Sequence, residues 1–284
     1  MRLTDSASGL VEWAVERALT DDGLLRLANR RLLPRAINFG GGPAFSALGW
    51  HNLDEAGPCE AAFRFSPDCR VPLPDVSVST VYSSHTLEHL DAPTVDRVLA
   101  EAWRILRSAG RLVIKLPDFD RTLECWRNGD ASFFRDELWN FNAVTPTWPT
   151  RGIEDTLERR ASMIFCGFWN DEYGDHFSGR INSHPGAYHG PAVVDEEELD
   201  TLVGDRTPAQ ISAYLRDSVQ QKETSFKFNH QNAWGRAELR SLLDRSGFDV
   251  VTSDKNVAAV CCADIPDIRS MFEQSSYTVA VARK

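Results

Sequence analysis

Between Val76 and Asp118 the chain reads VSVSTVYSSHTLEHL, then DAPTVDRVLAEAWRILRSAG, then RLVIKLPD. The first and third pieces are apolar runs rich in β-branched residues, as buried strands are. Between them, Val95, Val98, Leu99, Ala102, Ile105 and Leu106 recur at helical spacing, and Arg104 and Arg107 precede Gly110, which reads as a left-handed stop. Strand, helix and strand in this order make a crossover between parallel strands, because a parallel pair cannot be joined by a short turn. A parallel sheet binds ligands beyond the carboxyl ends of its strands, and the polar turn SSHTLEH (residues 83–89) stands at such an end.

The remaining strands are shorter. Ala36 to Phe39, Trp50 to Asp54 and Ala61 to Phe65 read as the first three, Val76 to Tyr82 and Arg111 to Leu116 as the fourth and fifth. After Asp120 the periodicity is lost for more than a hundred residues. It resumes with a helix over Arg236 to Ser246, a stop at Gly247, and strands over Phe248 to Thr252 and Tyr277 to Ala282. Residues 10–33 carry an apolar stripe that predicts a helical cap.

Several anchors stand in a fixed order: Asn38-Phe39-Gly40-Gly41-Gly42-Pro43, Gly49-Trp50-His51-Asn52-Leu53-Asp54, Asp68 ahead of Pro72-Leu73-Pro74, and Ser83-Ser84-His85-Thr86-Leu87-Glu88-His89. In this order they resemble the class I S-adenosylmethionine-dependent methyltransferases, in a type 11-like subgroup with GWxNxD and SSHxLEH motifs. The resemblance implies an α/β fold with a Rossmann-like seven-stranded sheet, mostly parallel and closed by an antiparallel C-terminal hairpin. It also implies S-adenosylmethionine as cofactor. An N-terminal cap over residues 1–34, a binding domain over 35–119 and 233–284, and an inserted subdomain over 120–232 complete the expected organisation.

The resemblance also assigns roles. Gly40, Gly41 and Gly42 leave backbone without Cβ atoms where a ligand approaches. Asp54, ending the second strand, offers a carboxylate to the ribose hydroxyls, and Asp68 falls where the adenine amino group is expected. Ser83 and Ser84 offer backbone contacts at the end of the fourth strand. His85 is the candidate catalytic residue: imidazole suits proton transfer near neutral pH, although orienting an acceptor hydroxyl would explain it equally. His89, His184 and His230 are expected to line the acceptor site.

Composition bounds the rest. A formal charge of −10 repels a phosphate backbone, so nucleic-acid substrates are not expected. No apolar run approaches the ~20 residues of a membrane span, and six cysteines without a CxxC pair suit a reducing compartment, so a cytoplasmic location is expected. Residues 120–232 hold four of the eight tryptophans, eight of the fifteen phenylalanines and four of the seven histidines, which fits an aromatic lid over the acceptor. A helical sublobe with its own core, or a homodimer interface, fits as well. The expected function is methylation of a small-molecule or sugar-type acceptor at oxygen, in small-molecule biosynthesis, with no bound metal.

Three other readings compete. The turn His85-x-x-Glu88-His89 also spells the HxxEH motif of inverted zinc peptidases, in which two histidines share one helix face with a glutamate base. Against it, Asp91-Ala92-Pro93 interrupts any such helix almost at once. A methyltransferase fold without methyl transfer and a pure interaction module complete the alternatives.

Overall fold

A computed structural model of the chain describes residues 34–40, 49–54, 61–134, 156–166, 196–222, 230–262 and 277–284. The expected cap over 10–33 and the residues Gly41, Gly42 and His184 lie outside them.

Seven strands, β1 (Ala36–Phe39), β2 (Trp50–Asp54), β3 (Ala61–Ala62), β4 (Val78–Ser84), β5 (Leu106–Pro117), β6 (Asp249–Thr252) and β7 (Tyr277–Arg283), form one sheet in the order β3-β2-β1-β4-β5-β7-β6. Pairing is parallel from β3 through β5, and β7 runs antiparallel to both β5 and β6. This is the mostly parallel sheet with an antiparallel C-terminal hairpin that the sequence predicts. Strand order reverses between β1 and β4, and at such a switch point the connections leave in opposite directions and open a crevice.

Helix α1 (Ala92–Ile105) is the crossover between β4 and β5. The Asp91 carboxylate caps it by accepting from the Thr94 amide at 2.9 Å, and Pro93 occupies the first turn, where no intrahelical donor is needed. The α1 residues Val95, Val98, Leu99, Ala102 and Ile105 pack against Ile37, Phe39, Leu53, Val81 and Ile114 of the sheet. Helix α1 ends at Ile105, earlier than the Gly110 stop that the sequence suggests, with extended Leu106 as its cap and the Leu106 amide donating to the Ala102 carbonyl. The left-handed residue is Ala109, at φ 59° within β5, rather than Gly110. Gly110 is there for room: a Cβ would stand 2.7 Å from the Arg107 carbonyl oxygen.

The region after Asp120 is more regular than its sequence suggests. It contains α2 (Phe119–Arg127), α3 (Leu157–Cys166), α4 (Glu196–Leu202) and α5 (Pro208–Lys222). Phe119, Leu123, Trp126, Phe133, Phe134 and Phe165, with Leu199, Ile211 and Leu215, form a core separate from those of the sheet. Its aromatics therefore do what a sublobe core requires. Helix α6 (Arg236–Arg245) returns to the sheet, and α7 (Lys255–Cys261) follows β6. Asp118 and Asp120 tie α2 to α6: Asp120 accepts from the Arg236 amide at 2.7 Å, and Asp118 pairs with the Arg236 guanidinium. Among the described residues no helix is long and apolar enough to cross a membrane.

Candidate functional site

The carboxyl ends of β1, β2 and β4 stand side by side, because Phe39 pairs with Leu53 on one flank and Ser83 on the other. Gly40 leaves β1 at φ 66°, a conformation glycine adopts without penalty. Any Cβ at Gly40 would overlap the Thr86 side chain. Thr86, which sequence reasoning passes over, is central to this arrangement. Its hydroxyl lies 3.0 Å from the Phe39 carbonyl oxygen and 3.1 Å from that of Ser84, so it ties the end of β1 to the end of β4. Only its place between two motif residues could have drawn attention to it.

Asp54 ends β2 half-buried, with its carbonyl accepting from the Phe63 amide. Ser83 is 1% exposed, and its hydroxyl has no hydrogen-bond partner among the described residues. Ser84 is half-buried beside it. Asp68 lies on an exposed turn, where the Ser66 hydroxyl donates to its carboxylate at 2.7 Å. That bond, with its own backbone amide, holds the Asp68 carboxyl below its ordinary range. Beneath the crevice Asn38 and Asn52, paired across β1 and β2, share a hydrogen bond of 2.9 Å.

The turn after β4 is not the helix that the zinc-peptidase motif needs. His85 leaves the strand at φ 51°, Leu87–His89 is a single 3-10 turn, and α1 begins only at Ala92. His85 and His89 therefore do not share a helix face. His85 adopts a backbone conformation that costs energy for a residue with a Cβ, and such strain gathers where a side chain must be aimed. Its amide still donates to the Lys115 carbonyl of β5, at 3.1 Å, while its ring reaches back to Glu88.

The His85 Nδ1 to Glu88 Oε1 distance is 3.1 Å, with the His85 side chain 36% exposed and Glu88 fully buried. Burial alone would raise the Glu88 carboxyl, but the hydrogen bond from His85 and the neighbouring histidines outweigh it and bring it down to about 2. An ionised Glu88 accepts from Nδ1–H, which fixes the tautomer of His85 in which Nε2 carries no proton. His230 is 3% exposed, its Nδ1 is 2.7 Å from the Ile164 carbonyl oxygen, and its ring lies 4.7 Å from that of half-buried His89. His230 faces Glu88 and His89 rather than an open crevice.

Strand order, switch-point crevice and glycine turn are the features expected of one fold family. Residues 43–114 match the family model described as "Methyltransferase domain". Over that segment the chain resembles a methyltransferase domain. No curated protein matches it. Among solved structures it is similar to an S-adenosylmethionine-dependent methyltransferase from Mesorhizobium loti (15% identity, 91% of this chain and 96% of that one, TM-score 0.38). It is similar also to one from Archaeoglobus fulgidus (12%, 96% and 99%, TM-score 0.35). A third is the Rickettsia typhi protein PKMT2 in complex with AdoHcy (10%, 91% and 52%, TM-score 0.31). At TM-scores this low, the likeness to methyltransferases rests on the match over residues 43–114.

S-adenosylmethionine is the cofactor that the resemblance implies, and two features of the crevice fit it. A half-buried carboxylate ends β2, and the buried Ser83 hydroxyl has no hydrogen-bond partner among the described residues.

Lys115, 8% exposed and paired with Ser84, lies next to this crevice, and burial pushes its ammonium down to about 8. Its folded value is below the ordinary 10.5, so the unfolded chain holds the proton more tightly, and stability rises as pH climbs from about 8 towards 10.5. At neutral pH the buried charge is a cost. Lys115→Met is expected to raise the unfolding free energy at pH 7 by about 2 kcal/mol and to remove the alkaline rise, both read from urea unfolding at several pH values.

Proposed function

We propose that this enzyme methylates the oxygen of a small-molecule or sugar-type acceptor, with His85 as the base. The observation that carries the proposal is the left-handed His85, its Nδ1 held by buried Glu88 and its ring 36% exposed at the end of β4. Bound S-adenosylmethionine supplies an electrophilic methyl group on sulfur. His85 Nε2 would take the proton of the acceptor hydroxyl as that oxygen becomes the nucleophile. Glu88 keeps the imidazole in the tautomer that can take it. Gly40, Ser83 and Ser84 would hold the cofactor across β1 and β4, Asp54 would accept from its ribose hydroxyls, and Asp68 would meet the adenine amino group. Gly41 and Gly42 keep the cofactor role that the resemblance implies, and His184 stays a candidate for the acceptor site. The acceptor approaches past His85 and the exposed edge of His89.

Calorimetric titration with S-adenosylmethionine tests the cofactor assignment. Asp54→Ala should weaken binding about ten- to a hundredfold, the effect of deleting a charged hydrogen-bond acceptor. Equal affinities for the wild type and Asp54→Ala would remove Asp54 from the site. S-adenosylhomocysteine release in a screen of hydroxylated acceptors then tests the reaction, and turnover confined to amines would refute oxygen as the methylated atom.

A further inference from the structure

Glu88, His89 and His230 meet beneath the crevice from two segments far apart in the chain. One ligand-type atom from each lies within 4.8 Å of the other two. The segments are stitched together by backbone: the amides of Gln231 and Asn232 donate to the Glu88 carbonyl at 2.6 and 3.1 Å, and the Asn232 side chain donates to the Leu90 carbonyl at 2.6 Å. A core as close-packed as this one has no need of three convergent polar groups, and their presence requires a physical reason.

The protonation pattern supplies one. The Ile164 carbonyl oxygen lies 2.7 Å from His230 Nδ1 and can only accept, so that nitrogen carries the proton and Nε2 keeps its lone pair. A ring fixed through one nitrogen by a backbone carbonyl, with the other nitrogen bare, is how metal-binding histidines are oriented. Glu88 completes the set. It is 0% exposed, its Oε1 is engaged by His85, and its Oε2 has no hydrogen-bond partner among the described residues. A buried carboxylate oxygen left in that state is costly unless a cation or donor meets it.

We propose that Glu88, His89 and His230 form a binding site for one divalent transition-metal ion of the zinc class. Two imidazoles and one carboxylate suit zinc and its neighbours, whereas magnesium and calcium prefer oxygen ligands throughout. Bonds of ~2.0–2.1 Å in a tetrahedron place donors ~3.4 Å apart, so the three groups need close by only about 1 Å from their 4.8 Å envelope. Three protein ligands leave a fourth position open, on the half-buried side of His89. The site differs from the HxxEH reading of the sequence: His85 is not a ligand but bonds the ligand Glu88, and His230 comes from 141 residues beyond His89. It also departs from the sequence expectation of no metal.

The test uses the full chain, stripped with chelator and titrated with Zn2+ by calorimetry and with Co2+ by visible absorption. One ion per chain is expected, with ligand-field bands for Co2+ and a shift of the His230 imidazole nitrogen resonances when Zn2+ is added to the wild type. E88Q and H89Q should each weaken Zn2+ at least tenfold, with circular dichroism reporting the fold. H89Q changes a half-buried side chain, so it remains informative if E88Q does not fold. S-adenosylmethionine affinity, measured on the same samples, separates this proposal from the methyltransferase reading, since the ion is expected to bind whether or not the cofactor does. No saturable ion in folded wild-type protein, or equal affinity in H89Q, overturns the proposal.

Discussion

Arg104→Ala is expected to lower the unfolding free energy by about 3 kcal/mol, the largest loss from any single truncation outside the apolar core. Arg104 stands near the end of α1 and joins four groups at once: the Glu101 carboxylate at 2.7 Å, the Asp75 carboxylate at 2.6 Å, and the carbonyls of Val71 and Leu73 at 2.8 Å each. Glu101 is 2% exposed and accepts from the Val71 amide at 2.7 Å. The pair thus pins the 69–75 segment, which leads into β4, onto the crossover helix. Without Arg104, Glu101 is a buried charge with one guanidinium remaining, that of Arg97 at 3.2 Å. That remaining pair places the effect at the lower end of the 3–5 kcal/mol usual for breaking a buried ion pair. Urea unfolding measures it. A double variant that adds Glu101→Gln should recover part of the loss, because the cost lies in the stranded charge rather than in the missing contact. Equal stability of Arg104→Ala and wild type would show that the network contributes nothing.

The sheet and α1 were legible because their physics is local. β1, β2 and α1 bury continuous or periodic apolar residues, and β1 and β2 occupy the residues the sequence assigns to them. Boundaries moved where pairing decided them. β5 starts at Leu106, five residues before the apolar run at Arg111, because Leu106 pairs with Val78 ahead of a register shift. The third strand, expected over Ala61 to Phe65, is only Ala61–Ala62, since two pairs hold it to β2 at the edge of the sheet. Helix α2 was missed although Phe119, Leu123 and Trp126 recur at helical spacing; its partners Phe133, Phe134 and Phe165 lie in a core that no sheet pattern announces. The site divides in the same way. Gly40, Asp54, Ser83 and His85 sit at strand ends and could be read from order alone. The meeting of Glu88 with His230 could not be, because it depends on backbone hydrogen bonds from Gln231 and Asn232 to a residue more than 140 positions earlier. Ala109 gave no warning either, since nothing in its residue type marks a left-handed backbone within β5.

His85→Gln is expected to lower kcat by about a hundred- to ten-thousandfold, the range that a positioned general base contributes, with the affinity for S-adenosylmethionine unchanged. Glutamine can still donate to Glu88 Oε1, so the turn and its left-handed backbone should persist, but its amide cannot take a proton. The contrast with Glu88→Gln separates the two roles. Glu88 touches His85 and not the acceptor, so it is a positioning residue, and its loss leaves a base in place with its tautomer and direction unset. Its kcat should fall less than in His85→Gln, and the double variant should be no slower than His85→Gln alone, because groups acting as a unit are not additive. Single-turnover release of S-adenosylhomocysteine, with the acceptor found by screening, reads these rates free of product release. If His85 only orients the acceptor, kcat changes by less than about tenfold while KM for the acceptor rises, the signature of lost binding rather than lost proton transfer. A His85→Gln enzyme within threefold of wild type in both would remove His85 from the chemistry and leave alignment by the crevice to drive the transfer.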